Sequence, residues 1–581
     1  MVWKNRPCAA YSLARSNGDG EAMSLSITSR PGGLFSRLAK SLSTIGLVTG
    51  TLFFAASFTP SLIPRTWLLQ GALAGLAFGA GYLVGVLGVW LWSYLELPAL
   101  KAPASRWVKR AAAAVCTTIA VIFLWQASEW QNSIRTLVDM EPVDSVYPFR
   151  VGLIAILTFT LLLGISRLFR LTLNFIDRRL RGFLPRRIAM AIGVAAAAVI
   201  FFSLLNGVLL RYAIQVADSS FRAADELIEP DTPQPDDPKK TGSAASLLDW
   251  DGIGRRGRQF VATAPSKEDI SAFLGREAME PLRVYVGLRS AETPEQRARL
   301  ALDELKRVGA FDRSVLVLIT PTGTGWIDPP AIDTLEYLHG GDVATVAIQY
   351  SYLASWLSLL IEPEYGGEVS RAMFTEIYSY WTGLARDSRP DLYLYGLSLG
   401  AMNSQRSSEL FEVLGDPYQG ALWAGPPYSS QLWRSITARR NPGSPVWMPR
   451  FRDGSYIRFT GQENALDIPG AQWGPMRVVY LQYASDAVVF FDPLSVYRAP
   501  EWMHEPRGPD VSPQMRWYPI VSFLQLLVDM MTATTTPMGH GHVYAPQHYI
   551  DAWIEVTGVQ GWSQAEIDRL KAHFATLMEA Q

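Results

Sequence analysis

Nearly all the long runs of this chain that contain no charged residue lie before about residue 212. A helix needs about 20 largely apolar residues to cross the hydrocarbon core of a bilayer. Stretches that reach or approach this length are residues 42–58, 67–95, 111–127, 151–169 and 188–210. The sequence therefore predicts an α-helical transmembrane region of about five helices over residues 41–212, preceded by an N-terminal segment, residues 1–40. Glycines recur every four positions at Gly71, Gly75 and Gly79, which indicates closely packed membrane helices.

The segments that connect these stretches are alternately rich and poor in Lys and Arg. These residues are abundant in residues 1–40, 101–110 and 167–187, whereas the connection before residue 67 holds only Arg65 and the connection after residue 127 is acidic. Connections rich in Lys and Arg stay in the cytoplasm. We therefore expect an integral membrane protein with residues 1–40 in the cytoplasm and everything after the fifth stretch outside it. A leader cleaved near Ala55 and Ser57 is the alternative for the first stretch, and it leaves that orientation unchanged.

The segment that follows is rich in proline and acidic residues, so residues 213–248 are predicted to be a linker. Directly after it, Gly252-Ile-Gly-Arg-Arg-Gly257 matches the GxGxxG fingerprint of dinucleotide sites. That site needs a strand before the fingerprint and a helix opening at it. Here an acidic run precedes the glycines and no helical pattern follows, so we interpret them as a turn and predict no nucleotide partner.

Composition restricts the partners and cofactors further. The formal net charge of −1 gives no electrostatic reason to expect nucleic-acid binding. The two cysteines, Cys8 and Cys116, both lie in the first third of the chain, so the rest has no cysteine for a disulfide or a metal. The sequence predicts no metal site and no cofactor.

From residue 280 onward, short β-rich runs alternate with amphipathic helical patterns. The predicted buried strands are residues 282–287, 314–320, 343–349, 392–395, 421–424 and 478–482. Between the first two, Thr293-Pro-Glu-Gln296 forms the pattern of a helix N-terminus with a capping box. Alternating strands and helices indicate a mostly parallel sheet. Residues 249–581 are therefore predicted to form one α/β domain.

The fourth predicted strand leads directly into Gly396-Leu-Ser398-Leu-Gly400, and a helical pattern follows from residue 401. A strand, a GxSxG turn and a helix in this order form a nucleophile elbow. The turn exposes the serine oxygen at the carboxyl edge of the sheet, where the N–H of Leu399 and the helix N-terminus stabilise an oxyanion. Ser398 is the predicted nucleophile.

A serine nucleophile needs a histidine base that a carboxylate orients, and enzymes with this elbow follow the chain order Ser, acid, His. Of the six histidines, His540 and His542 lie in a glycine-rich loop far downstream of the serine. We predict His542 as the base, with His540 as the alternative; metal binding by this His-x-His pair is a further alternative. Asp486 follows the last predicted strand and is the predicted acid. Asp492, directly followed by Pro493, is the alternative.

Two further segments belong to the predicted site. The loop after the second strand contains Gly323 and Thr324, which are candidates for the second donor to the oxyanion. Residues 428–475 form a long insertion in which Trp and Tyr side chains are interleaved with arginines. Insertions at this place in such sheets often form caps, and this one would suit lipid-like or anionic acyl substrates. A solvated surface excursion is the alternative.

Several motifs together resemble a bacterial family of integral-membrane α/β-hydrolases. They are Gly254-Arg-Arg-Gly257-Arg-Gln-Phe-Val, Thr320-Pro-Thr-Gly-Thr-Gly325, Gly396-Leu-Ser398-Leu-Gly400, Tyr480-Leu-Gln-Tyr-Ala-Ser-Asp486, and the segment from Arg516-Trp517 to Gly539-His-Gly-His542. The resemblance covers nearly the whole chain. It implies an α/β-hydrolase-like catalytic domain on a membrane anchor in a bacterial inner or plasma membrane. A helical pattern, rather than the usual strand, precedes the histidine loop.

The sequence thus predicts a serine hydrolase for carboxylic esters or thioesters, with small-molecule or lipid acyl substrates. Two alternatives stay open from the sequence. The same triad would serve an acyltransferase that passes the acyl group to an alcohol, and a degenerate fold would leave a non-catalytic membrane scaffold.

Overall fold

The computed structural model describes residues 42–98, 102–210, 220, 222–229, 232–353, 364–408, 413–504 and 506–579. The predicted cytoplasmic segment, residues 1–40, and part of the predicted linker lie outside the described residues.

The first part of the described chain is helical throughout. Its helices are α1 Thr44–Ala56, α2 Trp67–Tyr94, α3 Ala102–Arg135, α4 Pro148–Leu180 and α5 Arg186–Phe202, and α5 continues into a π-helical segment, Ser203–Leu210. All five predicted stretches lie in these helices. Within the described part of the chain, three helices are long and apolar enough to cross a membrane, Trp67–Tyr94, Trp107–Val138 and Pro148–Leu180; α1 and α5 are apolar but shorter.

The glycines of α2 let two neighbouring helices approach it. A Cβ atom on Gly71 would lie 2.7 Å from Ile154 Cβ of α4, and a Cβ on Gly75 would lie 2.6 Å from Thr158 Cβ. On the side of α2 that faces α1, a Cβ on Gly81 would lie 2.6 Å from the carbonyl oxygen of Thr49. Each distance is too short for a real side chain, so the close helix packing that the sequence predicts is confirmed.

The outward faces of these helices are covered with large apolar side chains. Trp90, Phe149, Leu161 and Phe202 are all exposed. Exposed apolar surface of this extent marks a surface that lipid or another protein covers.

The described residues of the second part form a sheet of seven strands. They are β1 Leu282–Val286, β2 Val315–Thr320, β3 Val343–Ile348, β4 Asp391–Leu397, β5 Gly420–Ala424, β6 Ile457–Thr460 and β7 Arg477–Leu481. Their order in the sheet is β1-β3-β2-β4-β5-β7-β6, and all six neighbouring pairs are parallel. All six predicted strands are confirmed. β6 was not predicted, and it lies within residues 428–475, so part of this insertion extends the sheet.

Helices precede the sheet, connect its strands and follow it. They are α6 Gly254–Ala262, α7 Lys267–Leu274, α8 Pro294–Val308, α9 Pro329–Leu338, α10 Tyr365–Thr382, α11 Leu399–Gln405, α12 Gln431–Ala438, α13 Ala487–Phe490, α14 Val521–Met531, α15 Pro546–Thr557 and α16 Gln564–Glu579. The capping box at Thr293 forms at the start of α8. With parallel strands joined by helices, the carboxyl ends of β2, β4, β5 and β7 meet at one edge of the sheet.

The GxGxxG segment differs in part from our interpretation. Gly252 lies in a turn, as predicted, but Gly254 begins helix α6. Arg258, Phe260 and Val261 of this helix are buried. A Cβ on Gly257 would clash with the ring of Tyr285 in β1, so this glycine lets α6 lie against the sheet. Tertiary packing therefore stabilises a helix that the local sequence does not favour.

A buried ion pair joins helices α1–α5, which form the predicted membrane-helix region, to the α/β domain. Arg65, in the connection between α1 and α2, places Nε 3.0 Å from Oδ1 of Asp529 in α14, and neither side chain is exposed. The backbone N–H of Leu62 donates to Oδ2 of the same carboxylate over 3.0 Å, and the Gln525 amide donates to the Thr59 carbonyl over 2.9 Å. The connection between α1 and α2 is therefore part of the core of the α/β domain.

We expect Asp529→Ala to destabilise the protein strongly. Removing one partner of a buried ion pair leaves an uncompensated charge, which costs about 3–5 kcal/mol. Denaturant-induced unfolding of the purified chain in detergent, followed by tryptophan fluorescence, measures the change. The double variant Arg65→Met, Asp529→Met removes both charges and should recover a large part of the loss. A single variant as stable as the wild type would contradict a buried ion pair at this junction.

Candidate active site

Ser398 lies between β4 and α11 in a strained backbone conformation, with φ 57° and ψ −124°. Positive φ is rare for a residue with a side chain and, in this turn, places the serine at the carboxyl end of the strand. Ser398 is buried there, with 7% of its surface exposed. Cβ atoms on Gly396 or Gly400 would clash with the backbone of Gly400 and Thr320, respectively. Only glycine fits two residues before and two residues after the serine, so the GxSxG segment has the geometry of a nucleophile elbow.

The structure brings His542 to Asp486. The imidazole Nδ1 lies 2.7 Å from Oδ2 of Asp486, which is fully buried at the start of α13, just after β7. The other carboxylate oxygen, Oδ1, accepts the backbone N–H of Val488 over 2.8 Å. These hydrogen bonds fix the carboxylate, and the carboxylate in turn orients the imidazole.

The same imidazole lies against the strand next to the elbow. The Ser398 N–H donates to the Ala424 carbonyl at the end of β5 over 2.9 Å. The following residue is Gly425, with φ 49°, and a Cβ there would lie 2.6 Å from His542 Cε1. His542 Nε2 is buried and has no hydrogen-bond partner among the described residues. The ring nitrogen that would act as the base is therefore buried close to the elbow and not engaged elsewhere.

Tyr544 is a member of this site that the sequence did not reveal. Its hydroxyl donates to Asp486 Oδ2 over 2.6 Å, beside the bond from His542. Burial, together with the adjacent Asp486 carboxylate, raises the pKa of Tyr544 well above its usual value, so the hydroxyl stays protonated and donates. The only signal in the sequence is its position two residues after His542, and no known motif makes that position informative.

We expect Tyr544→Phe to lower kcat/KM for a p-nitrophenyl ester about 10-fold, because a hydrogen bond to a charged acceptor contributes roughly 1.5–3 kcal/mol. Steady-state hydrolysis of p-nitrophenyl butyrate measures the change. Tyr393→Phe is the matched control, since the Tyr393 hydroxyl bonds to the Thr557 carbonyl, away from the triad. Equal activities of the two variants would show that Tyr544 does not support the acid.

The alternative residues have other partners. His540 Nε2 lies 3.1 Å from Asp139 in the connection between α3 and α4, and its Nδ1 lies 3.6 Å from Asp510. Burial lowers the pKa of His540, but the adjacent carboxylates of Asp510 and Asp139 outweigh burial and leave the pKa raised. Asp492 caps a 3₁₀ helix by accepting the Leu494 N–H over 2.8 Å. Within the described part of the chain, no group of three or more His, Cys, Asp or Glu side chains is arranged to hold a metal ion.

The loop after β2 touches the elbow. Gly400 packs directly against the Thr320 carbonyl, which ends β2. The loop then forms a tight turn in which the Thr322 N–H donates to the Trp326 carbonyl over 3.0 Å. Gly323 and Thr324 occupy this turn and Leu399 begins α11. Their roles as oxyanion donors stay predictions.

Asp328, at the end of the same loop, is a second buried carboxyl near the triad. It accepts a hydrogen bond from the Tyr549 hydroxyl over 2.8 Å. Burial raises the pKa of Asp328 to about 7, although the Tyr549 hydrogen bond and the charge of His542 act in the opposite direction. The ring of Tyr549 lies beside that of Tyr544, with centroids 6.3 Å apart, so two tyrosines connect this carboxyl to Asp486.

Comparison with known protein families gives two matches, one for the sheet domain and one for the region before it. A family model described as "Alpha/beta-hydrolase family" matches residues 282–570, from the first residue of β1 into α16. A second model, described as "Alpha/beta-hydrolase family N-terminus", matches residues 58–265, which include α2 to α6. Comparison with curated proteins and with solved structures gives no match.

Proposed function

Because this chain belongs to the alpha/beta-hydrolase family, we propose that it is a serine hydrolase that cleaves carboxylic esters or thioesters through an acyl-enzyme. Ser398 is the nucleophile, His542 the general base and Asp486 the residue that orients the base. The observation that carries this proposal is the 2.7 Å contact between His542 Nδ1 and the buried Asp486, made by an imidazole that packs beside the serine elbow.

In the proposed reaction, Ser398 Oγ attacks the acyl carbonyl carbon while its proton passes to His542 Nε2. The oxyanion that forms is stabilised by the N–H of Leu399 and by the loop that holds Gly323 and Thr324. The tetrahedral intermediate collapses, and the leaving alcohol or thiol takes the proton from the imidazolium. Water then attacks the acyl-enzyme by the same route and releases the acid.

The position of the catalytic domain supports acyl substrates that are lipid-like. Two connections of the membrane-helix region contact the domain in the described structure, one through Arg65 and the other through Asp139. The connection of Arg65 is poor in Lys and Arg, and the connection of Asp139 is acidic. Connections of membrane helices that lack an excess of Lys and Arg lie outside the cytoplasm. We therefore propose an integral protein of a bacterial plasma membrane with an extracytoplasmic catalytic domain at the bilayer surface.

The test is turnover of a panel of p-nitrophenyl esters and matching thioesters of increasing acyl length by the purified full chain. We expect release of the leaving group by the wild type and by Ser388→Ala, whose serine lies in a distant surface loop, but not by Ser398→Ala. Analysis of the products with and without an added alcohol separates hydrolysis from acyl transfer. A wild-type protein that turns over no member of the panel would contradict the proposal.

A further inference from the structure

Helix α14 carries an apolar face that the α/β domain leaves open. Leu524, Val528 and Met531 recur at the i, i+4 and i+7 positions, which places them on one side of the helix. Leu524 and Val528 are half-buried, and Met531 is 63% exposed. On the opposite side Leu526 is fully buried in the domain core. The open face of α14 therefore points away from the sheet.

A third side of α14 meets the membrane-helix region. Gln525 and Asp529 bind the connection between α1 and α2, and α14 packs against α2. The helix thus lies at the level of the first turns of α2, which begins at Trp67. When α2 crosses a bilayer, this level corresponds to the boundary between headgroups and acyl chains, where tryptophan is enriched.

The segment beside the start of α14 carries further exposed apolar side chains. The 3₁₀ helix Pro493–Val496 is joined to α14 by the Ile520 N–H, which donates to the Val496 carbonyl over 2.9 Å. At this helix Leu494 is 37% and Tyr497 63% exposed. Arg498 and Arg516, nearby in the chain, are also exposed. Apolar and aromatic side chains bordered by arginine are the composition of membrane-interface surfaces.

We propose that the α14 surface, formed by Leu494, Tyr497, Leu524, Val528 and Met531, is embedded in the headgroup region of the bilayer, with Arg498 and Arg516 directed to anionic lipid. The inference rests on the proposed membrane insertion and goes beyond it, since it gives the catalytic domain its own lipid contact.

This contact has a consequence for the active site. Two residues after α14, the Ala533 carbonyl accepts the N–H of His542 over 2.9 Å. The end of α14 thus holds the loop that carries the base. Lipid bound to the α14 surface fixes this end, so the active site is held at the bilayer surface, within reach of acyl groups in membrane lipids.

The test is depth-dependent fluorescence quenching in the full chain. A Met531→Cys variant, with Cys8 and Cys116 replaced by Ser, is labelled with bimane and reconstituted in vesicles of phosphatidylcholine and phosphatidylglycerol. These vesicles contain lipids with a nitroxide either near the headgroup or deep in the acyl chain. We expect the shallow nitroxide to quench the label at position 531 several-fold more strongly than it quenches a label at a control site on the domain.

Two control sites make the result decisive. Leu414 is 62% exposed. It lies two residues before Asp416, which pairs with Arg389 just before β4, so this control site is at the edge of the sheet opposite the triad. Leu161, within α4, is 65% exposed and reports insertion of the spans. If labels at Met531 and Leu414 are quenched equally while a label at Leu161 is quenched strongly, the lipid contact of α14 is overturned and membrane insertion still stands. No quenching at Leu161 would overturn membrane insertion, and self-quenching of Met531 labels without lipid quenching would assign the surface to a second copy of the chain.

Discussion

Ser398→Ala is expected to lower kcat/KM for p-nitrophenyl butyrate by at least about 10⁴-fold, because loss of the nucleophile removes the acyl-enzyme route and leaves only binding and oxyanion stabilisation. The variant removes one oxygen atom and keeps the backbone hydrogen bond between Ser398 and Ala424. Its fold and its membrane fraction should therefore match those of the wild type. Steady-state kinetics of the two purified proteins measure the effect.

The control for this prediction is Ser388→Ala, which makes the same chemical change outside the site. We expect this variant to keep wild-type activity. Activity retained in Ser398→Ala would show that a different residue attacks the substrate, and it would remove the basis for a nucleophile elbow at Ser398.

Asp486→Asn should lower kcat/KM by about 10⁴-fold as well, since an asparagine leaves the histidine in the wrong tautomer. The carboxylate accepts four hydrogen bonds, from His542 Nδ1, the Tyr544 hydroxyl and the backbone N–H groups of Val488 and Val489. An asparagine side chain has one accepting oxygen and one donating NH2 group. The NH2 group must therefore face either the Val488 N–H or the pair formed by His542 and Tyr544, all of which are donors. In both orientations at least one existing bond is lost.

Asp492→Asn is the matched variant, because Asp492 was the alternative acid and the same substitution tests it. Its carboxylate caps a 3₁₀ helix and does not contact His542 in the described structure. We expect this variant to retain close to full activity and to lose only some stability. A reversal, with Asp492→Asn inactive and Asp486→Asn active, would show that the acid was assigned to the wrong residue.

The strands that could be predicted are those whose signal is local. The six predicted strands are buried runs rich in β-branched and aromatic side chains, and burial on both faces of a parallel sheet requires this composition. β6 could not be predicted because it has only four residues, one of which is Arg458. That guanidinium is buried in the fold, where it donates to the Leu466 carbonyl over 2.6 Å and lies over the ring of Trp473. No neighbour in the sequence reveals that compensation.

The same distinction applies to the site. Ser398 could be predicted as the nucleophile because the elbow is one continuous segment. Asp486 and His542 could be predicted because the order of a triad along the chain limits the choices. The structure then places His542, and not His540, on Asp486. Tyr544 and the pair between Arg65 and Asp529 depend on the folded arrangement. Arg65 and Asp529 are separated by 464 positions and become partners only when the predicted membrane-helix region meets the domain.

The most direct test of the account is the site of covalent modification by a fluorophosphonate, which reacts with serines that a histidine base activates. The purified chain is treated with the reagent, digested and analysed by mass spectrometry. We predict a single modified peptide with the adduct on Ser398, and no adduct there in His542→Gln although the protein stays folded. An unmodified wild type, or an adduct on a different serine, would contradict the claim that Ser398 is an activated nucleophile.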